Sequence, residues 1–209
     1  MAGEIFNPRF LIVSLGNQAP YYDCLHSAGH FALASLQRLL GPSQPSFTPE
    51  RYGGQKCLAS TDYKYTLVQS PTQMNVSGPW FAKTWREMLQ RHQLQPANLS
   101  LVLVHDDLEE EPGRVRIRDW KASHRGHNGI KDINRVIKPA SFNGARWSRI
   151  SVGIGRPVHR DQNAVSSYVL RKLNRSERDM MEEEVGPSVL ECLHKLEEKW
   201  AAEHTKTLS

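Results

Sequence analysis

The chain is poor in cysteine, and its cysteines are widely scattered. The 209 residues include only Cys24, Cys57 and Cys192, and no Cys-x-x-Cys spacing occurs. Neither a structural zinc site nor a disulfide framework is expected, and reduced thiols are typical of a cytoplasmic protein. Cys24 lies two residues before His26, which leaves a Cys–His nucleophile as an alternative, although side chains so spaced rarely face each other.

Long apolar runs and targeting segments are also lacking. No run reaches the ~18 residues that a membrane span needs, and the mean hydropathy is −0.55. Residues 1–9 contain neither a hydrophobic signal core nor an Arg- and Ser-rich presequence pattern, so we expect a flexible N-terminal extension there. A cytoplasmic protein without a membrane partner is predicted. A mitochondrial location would require that a presequence had been trimmed.

Several motifs that define enzyme classes are missing. The sequence has no Walker loop, no Gly-x-Gly-x-x-Gly after a strand, no Gly-x-Ser-x-Gly elbow and no His-Glu-x-x-His. His105, His124 and His127 are potential metal ligands, but neither cysteine neighbours nor a helical His-x-x-x-His spacing supports a site. We therefore predict an activity that uses no cofactor and no metal.

Composition and periodicity predict a single α/β globular domain spanning 1–209, with 201–209 as a C-terminal tail. The hydrophobic fraction of 39% is enough for a buried core. Apolar patterning predicts a loop at 41–49 and alternating strands and helices. The strands are expected at 10–15, 64–69, 99–104, 114–117 and 147–154, and the helices at 26–40, around 80–89, at 128–137 and, as one or two helices, at 176–200. This alternation favours a mixed twisted β-sheet with helices on both faces.

The most informative residue is His26, because short polar stretches elsewhere follow apolar runs and suit a site around it. A histidine with a pKa of ~6.5 can act as a general base near neutral pH. It needs a carboxylate on its other ring nitrogen, which Asp106 at the end of the strongest strand can supply. Asp107 is the competing choice, and strand alternation should send the two side chains to opposite faces.

Three asparagines are candidate amide donors to a developing oxyanion. Asn17, Asn75 and Asn128 each lie in a predicted turn or at a helix start, where a local turn or cap hydrogen bond is the alternative role. A base, an orienting carboxylate and neutral amides together favour hydrolysis of an ester without a covalent nucleophile.

The net charge of +5 permits binding to nucleic acid without establishing it. Arg114, Arg116 and Arg118 alternate, so one strand face is expected to present three cations to phosphates. A solvated strand face is the alternative. The acidic run Glu109–Glu111 is expected to lie away from any RNA.

Six motifs in order resemble the bacterial-type peptidyl-tRNA hydrolases, over nearly the whole chain from Phe10 to about Trp200. The motifs are Leu11-Ile-Val-Ser-Leu-Gly-Asn17, Tyr21 five residues before His26, Met74-Asn75-Val-Ser-Gly78, His105-Asp106-Asp-Leu108 with Pro112-Gly113, Gly126-His-Asn-Gly-Ile-Lys-Asp132, and Val152-Gly-Ile-Gly-Arg-Pro157.

The resemblance implies a monomer that rescues stalled translation by cleaving the ester between a peptide and the tRNA 3′ ribose. His26 and Asp106 match the catalytic pair of the family. The matching substrate-binding residues are Asn17, Tyr21, Met74, Asn75, His127 and Asn128. The family also implies a mobile loop and helix that gate the cleft, here between about Tyr168 and Met181, and a two-cation clamp for a tRNA phosphate.

Departures from the family pattern occur close to these positions. The usual Asn-Pro-Gly reads Asn17-Gln-Ala19, one residue is missing before His26, and the usual Thr-Arg-His-Asn reads Cys24-Leu-His-Ser27. The usual Gly-Gly-Ser reads Lys121-Ala-Ser-His-Arg125, which predicts a stiffer and more basic segment.

For the phosphate clamp, Arg118 matches one cation of the family, but Ser151 stands near the position of the second. Arg149 or Arg146 is expected to compensate.

Two other functions compete with this interpretation. One is a catalytically silent RNA-binding relative that acts as the partner of an RNA-processing factor. The other is a general esterase or peptidase that applies the same His–Asp pair to small substrates. The alternating arginines favour RNA, and the intact set of His26, Asp106 and the three asparagines favours catalysis.

Overall fold

Strands and helices alternate along the chain in the computed structural model, which describes residues 6–208, with side chains described through 206. The strands are β1 (Arg9–Ser14), β2 (Thr48–Tyr52), β3 (Gln55–Thr61), β4 (Tyr65–Gln69), β5 (Leu99–Asp107), β6 (Val115–Asp119) and β7 (Arg146–Gly153). The helices are α1 (Ala28–Leu40), α2 (Ser77–Arg91), α3 (Asn128–Val136), α4 (Gln162–Leu170), α5 (Arg175–Glu183) and α6 (Val185–Leu208).

All seven strands join one mixed sheet in the order β2-β3-β4-β1-β5-β7-β6. The central strands β4, β1, β5 and β7 are parallel. The edges are antiparallel, because β2 and β3 extend one side and β6 pairs with β7 on the other. Parallel central strands bring their carboxyl ends to one edge of the sheet, where α/β proteins place their sites.

Helices cover both faces of the sheet, which confirms the predicted fold class. In β1, Phe10 and Ile12 face a core formed with α1, α5 and α6, whereas Leu11 and Val13 face a core formed with α2 and α3. This is the two-residue alternation of a strand that is buried on both sides.

The hairpin of β2 and β3 was not predicted from the sequence. The segment 41–49 was expected to be a loop, but β2 begins at Thr48 and includes Pro49. Gly53 and Gly54 connect the strands with φ values of 58° and 79°. Such positive values are those of a tight hairpin turn, and Gly-Gly between two strands is the signal that could have revealed it.

Phe6 and the helix α6 lie together beside the sheet. Residues 1–5 of the expected N-terminal extension lie outside the described residues, while Phe6 packs against the core and its ring centroid is 5.5 Å from that of His204. The C-terminal tail was expected at 201–209; residues 201–208 continue α6 instead, and residue 209 lies outside the described residues. The closing segment is two helices, separated at Glu184.

Candidate active site

Three polar segments converge where parallel strands end. Asn17 follows β1, Met74 and Asn75 follow β4, and Asp106 is the second-last residue of β5. The Leu15 amide donates to the Val104 carbonyl at 2.8 Å, which holds the exit of β1 against β5. The adjacency of these strands is what brings the sequence-distant segments together.

The centre of the site is a carboxylate shared by two imidazoles. Asp106 Oδ1 lies 2.8 Å from His26 Nδ1 and 3.0 Å from His127 Nε2. Asp106 is 3% exposed, while His26 lies in the short 3-10 turn Leu25–Ser27 that precedes α1. The expected helix at 26–40 therefore begins at Ala28, and His26 is set on a turn that directs its ring to β5.

The hydrogen-bond pattern assigns the protons of both rings. The Ile130 amide donates to His127 Nδ1 at 3.4 Å, so His127 carries its proton on Nε2 and donates it to Asp106. His26 likewise donates from Nδ1 to Asp106 when neutral. His26 Nε2 is then left unprotonated, which is the form a general base requires.

The electrostatics keep Asp106 ionised and His26 easily protonated. Burial alone would raise the pKa of Asp106, but the neighbouring His26 and His127 hold that pKa well below its usual range. Burial lowers the pKa of His26, and the charge and hydrogen bond of Asp106 outweigh it, so that the pKa lies above 6.5. A buried anion beside a histidine stabilises the imidazolium that forms when the base accepts a proton.

The neighbouring His105 is a structural residue in this arrangement. Its Nδ1 donates to the backbone carbonyl of Asp106 at 2.7 Å, and burial lowers its pKa to about 3, so it stays neutral. Its Nε2 has no partner among the described residues.

The metal-ligating atoms of His26, Asp106 and His127 all lie within 4.8 Å of one another, but a hydrogen bond from each ring to Asp106 already accounts for that proximity.

Asn17 lies directly beside the turn that carries His26. Its backbone amide donates to Ser27 Oγ at 3.0 Å, and its side-chain Nδ2 contacts Cys24 Sγ at 3.5 Å. Ser27 Oγ donates in turn to the Tyr21 carbonyl at 3.2 Å. Cys24 is therefore buried, with its sulfur against Asn17 and Ser27, whereas the hydrogen bond of His26 is to Asp106; this argues against a Cys–His nucleophile.

The Met74–Asn75 turn abuts the start of α3. A Cβ on Gly129 would lie 2.9 Å from the Met74 sulfur and 3.0 Å from its carbonyl oxygen, so only glycine permits this approach. Asn128 and Asn75 are therefore carried on touching segments, and both side chains are exposed.

A cleft of about 710 Å³ opens beside the histidine pair. His26, Asp106, His127 and Asn128 line it, but Asn17, Tyr21, Met74 and Asn75 are not among its walls. One wall is α4, with Val165 and Val169 facing in. Of the segment expected as a gate, 168–181, Val169 and Leu170 line the cleft at the end of α4, whereas α5 packs against α1.

The opposite wall is basic and includes Arg118, Arg125, Arg156 and Arg160. The acidic run, which was expected to lie away from any RNA, folds back among these arginines. Glu110 forms ion pairs within the arginine group, and Glu109 pairs with Arg156. The signal missed in the sequence is the turn after β5, which folds the run back beside β6.

Arg149, the second candidate for the phosphate clamp, lines the cleft, but its guanidinium is bonded to the protein backbone. It is 1% exposed, and its Nη2 donates to the carbonyls of Asp119 at 3.1 Å and Ala122 at 2.6 Å. Its guanidinium therefore ties down the segment after β6. Arg146, the other candidate, donates to the Ala97 carbonyl at 2.6 Å at the opposite end of β7.

Comparison with known proteins decides the family. The family model described as peptidyl-tRNA hydrolase matches residues 11–208. The chain belongs to the peptidyl-tRNA hydrolase family. A peptidyl-tRNA hydrolase of Delftia acidovorans is 34% identical over 182 residues, covering 86% of this chain and 80% of that protein. A probable peptidyl-tRNA hydrolase of Schizosaccharomyces pombe is 32% identical, covering 79% and 78%.

Solved structures of peptidyl-tRNA hydrolases share the fold. The Arg119Gln mutant from Acinetobacter baumannii superposes with a TM-score of 0.65 at 22% identity, covering 98% of this chain and 94% of that one. A complex with N-propanol gives a TM-score of 0.67 at 24% identity, covering 97% and 94%. Two of the departures from the usual family motifs, Cys24 and Ser27, are the side chains that hydrogen-bond Asn17.

Proposed function

We propose that this protein hydrolyses the ester between a peptide and the 3′ ribose of tRNA, releasing free tRNA and peptide. One observation carries the proposal: His26, held 2.8 Å from the buried Asp106, faces a cleft with an arginine-rich wall. The chain also belongs to a family whose members are named for this reaction.

The reaction needs one proton transfer in each direction. His26 Nε2 takes a proton from water as the water oxygen attacks the ester carbonyl. Asp106 stabilises the resulting imidazolium across the 2.8 Å contact. His26 then returns the proton to the 3′ oxygen of the ribose as the bond to the peptide breaks. No covalent enzyme intermediate is required.

The neutral amides and the neighbouring side chains position the ester. Asn17, Asn75 and Asn128 supply amide N–H donors to the peptide and to the developing oxyanion, a role worth about 3–4 kcal/mol for one well-placed donor. We assign Tyr21 and Met74 to the peptide side of the site. His127, which donates to Asp106, is assigned to the tRNA 3′ end.

The tRNA backbone is proposed to lie along the basic wall, with Arg118 contacting a phosphate of the acceptor stem.

We further propose that the protein acts as a cytoplasmic monomer in the rescue of stalled translation. Three free cysteines are in keeping with a reducing compartment. Among the described residues, no helix is long and apolar enough to cross a membrane. Sedimentation at micromolar concentration would test the monomer.

The decisive experiment measures hydrolysis of an N-blocked aminoacyl-tRNA beside an unblocked one, with wild-type protein and His26→Ala. Turnover of only the blocked substrate, lost in a folded His26→Ala variant, is the expected result. Near-normal turnover by that variant would remove His26 as the base. A folded wild-type protein that binds tRNA without hydrolysing it would be the silent RNA-binding relative.

A second assay separates RNA recognition from ester chemistry. Arg118→Ala should raise KM for full-length substrate more than KM for a short aminoacyl-nucleotide fragment. Equal effects on both substrates would contradict the phosphate contact. Added salt should weaken turnover of the tRNA substrate steeply, whereas a small-ester hydrolase would be insensitive.

A further inference from the structure

Four arginines converge on one carboxylate beside the cleft. Glu110 lies 2.8 Å from Arg116 Nε, 3.7 Å from Arg114 Nε and 3.8 Å from Arg125 Nη1, and it pairs closely with Arg118. We call Glu110 and these four arginines the Glu110 cluster. The Glu110 side chain is only 11% exposed, so the arginines enclose it.

The neighbours of Glu110 in sequence do not share this environment. Glu109 pairs with Arg156, outside the cluster. Asp107 supplies a second, more deeply buried anion, 3.2 Å from Arg118 and 3.5 Å from Arg125. Four positive charges thus face two negative ones, and the cluster keeps a net positive charge while its central position is occupied.

The central position has the chemistry of a phosphate site. A guanidinium offers the same planar fork of N–H donors to a carboxylate and to a phosphate. Arg118 Nη2 donates a hydrogen bond to the Glu110 carboxylate, and that N–H cannot at the same time bond an RNA phosphate. The other three guanidinium groups hold the carboxylate as ion pairs, whose charge a phosphate would also need. A phosphate that reaches Arg118 from the cleft therefore meets a site that the protein already fills.

We propose that Glu110 is an internal competitor, which occupies the arginine cluster until an RNA phosphate displaces its carboxylate. The inference rests on the proposed function, because tRNA is the anion that the cleft would bring to these arginines. The displacement involves the side chain alone, since the Gly155 amide donates to the Glu110 carbonyl at 3.0 Å and holds the backbone. Glu110 thereby weakens binding of RNA and favours its release.

The test is binding of a fluorescent acceptor-stem duplex with a 5′ phosphate, followed by anisotropy, for wild type and Glu110→Gln. Glutamine keeps the size of the side chain and removes its charge, so the variant should bind about five- to tenfold more tightly. Glu191→Gln is the matched control. Glu191 pairs with the exposed Lys195 on α6, across the sheet from the arginine face of β6, and its variant should bind as wild type does.

A double-variant comparison tests whether the gain acts through the cluster. In an Arg118→Ala background, Glu110→Gln should tighten binding by less than it does in wild type. Unchanged or weaker binding by a folded Glu110→Gln protein would overturn the proposal and leave Glu110 a purely structural anchor for the arginines. A gain of equal size from Glu191→Gln would overturn it as well, because net charge alone would then explain the effect.

These outcomes are separate from the fate of the hydrolase proposal. A wild-type protein that binds the duplex but hydrolyses no peptidyl ester would refute the proposed function, while the Glu110→Gln effect on binding would still be measured. A wild-type protein that hydrolyses the ester, with no tightening in Glu110→Gln, would refute only the competitor. If neither the wild-type nor the Glu110→Gln protein binds the duplex, the proposal that Glu110 competes with an RNA phosphate is also refuted.

Discussion

Replacing Asp106 with asparagine should change both the rate of hydrolysis and its dependence on pH. Asparagine preserves the shape of the side chain and an oxygen that can accept from His26 and His127, but it removes the negative charge. The imidazolium that forms as His26 accepts a proton then loses its counter-ion. The variant therefore isolates the charge of Asp106 from its hydrogen-bonding geometry.

The size of the effect follows from the distance between the two groups. Unit charges 2.8 Å apart attract by about 6 kcal/mol at an effective dielectric constant of 20. That figure is a ceiling, because the His26 side chain is 18% exposed and the amide of asparagine retains part of the interaction. We expect kcat to fall about 10²- to 10³-fold, which corresponds to ~3–4 kcal/mol.

The pH profile provides a second readout, and its direction follows from the pKa of His26. In the wild type, Asp106 holds that pKa above 6.5, and the base works only when neutral, so the rate should rise with pH through a value above 6.5. Without Asp106, the burial that remains lowers the pKa of His26. In the pH–rate profile of Asp106→Asn, the rise of kcat on the acid side, the acid limb, should move to lower pH, even though the maximum rate of the variant is lower.

The assay is kcat for an N-blocked aminoacyl-tRNA between about pH 5 and 9, with spontaneous ester hydrolysis subtracted. Asp107→Asn is the matched control, because Asp107 points to Arg118 and not to His26. That variant should change KM for tRNA but leave the acid limb in place. An acid limb that stays put or moves upward in a folded Asp106→Asn protein would refute the assignment of His26 as the base oriented by Asp106.

Three further predictions concern the scaffold. Gly29→Ala would place a Cβ 2.5 Å from the Leu15 carbonyl oxygen and 2.7 Å from that of Val104, so urea unfolding should show a loss of about 1–3 kcal/mol. Arg149→Met leaves buried carbonyls without their donor and should cost about 2–4 kcal/mol in the same assay; an unchanged midpoint would contradict that anchoring role. Burial lowers the pKa of His30 from 6.5 to about 3, so the neutral ring stabilises the fold fully above pH 6.5 and this contribution is lost as the pH falls. The unfolding free energy of the wild type should therefore decline between pH 7.5 and pH 5, and His30→Gln should remove about 2 kcal/mol of that decline.

The parts of this molecule that could be predicted from sequence are those governed by local pattern. The apolar runs at β1 and β5 end in polar residues, and the α/β alternation places such ends at one edge of the sheet. That reasoning left Asp106 and Asp107 as alternatives, and the family resemblance selected Asp106, which in the structure lies against His26. By contrast, β2 contains a proline and charged residues, so its edge position hid it from periodicity.

Positions that depend on pairing between distant strands could not be predicted in this way. Arg149 lies in a run that reads as an ordinary buried strand, and its role follows from β7 passing beside the segment after β6. The helix α4 on the cleft wall was missed for a similar reason. No helix was expected from apolar periodicity between residues 154 and 176, and only the structure reveals that α4 (Gln162–Leu170) lines the cleft whereas α5 packs against α1.

The arrangement of β6 against β7 also explains why acidic residues occur within a surface that is suited to RNA. Arg118 and Arg149 are direct neighbours in the antiparallel register, and like charges so placed repel each other. Arg149 resolves this by turning its guanidinium to backbone carbonyls, and Arg118 does so by pairing with Asp107 and Glu110. A cluster dense enough in arginine to hold a phosphate needs internal anions while no RNA is bound. Removing such an anion should therefore cost the free protein some stability while it strengthens RNA binding, and a thermal unfolding scan of Glu110→Gln with and without the duplex would reveal both effects.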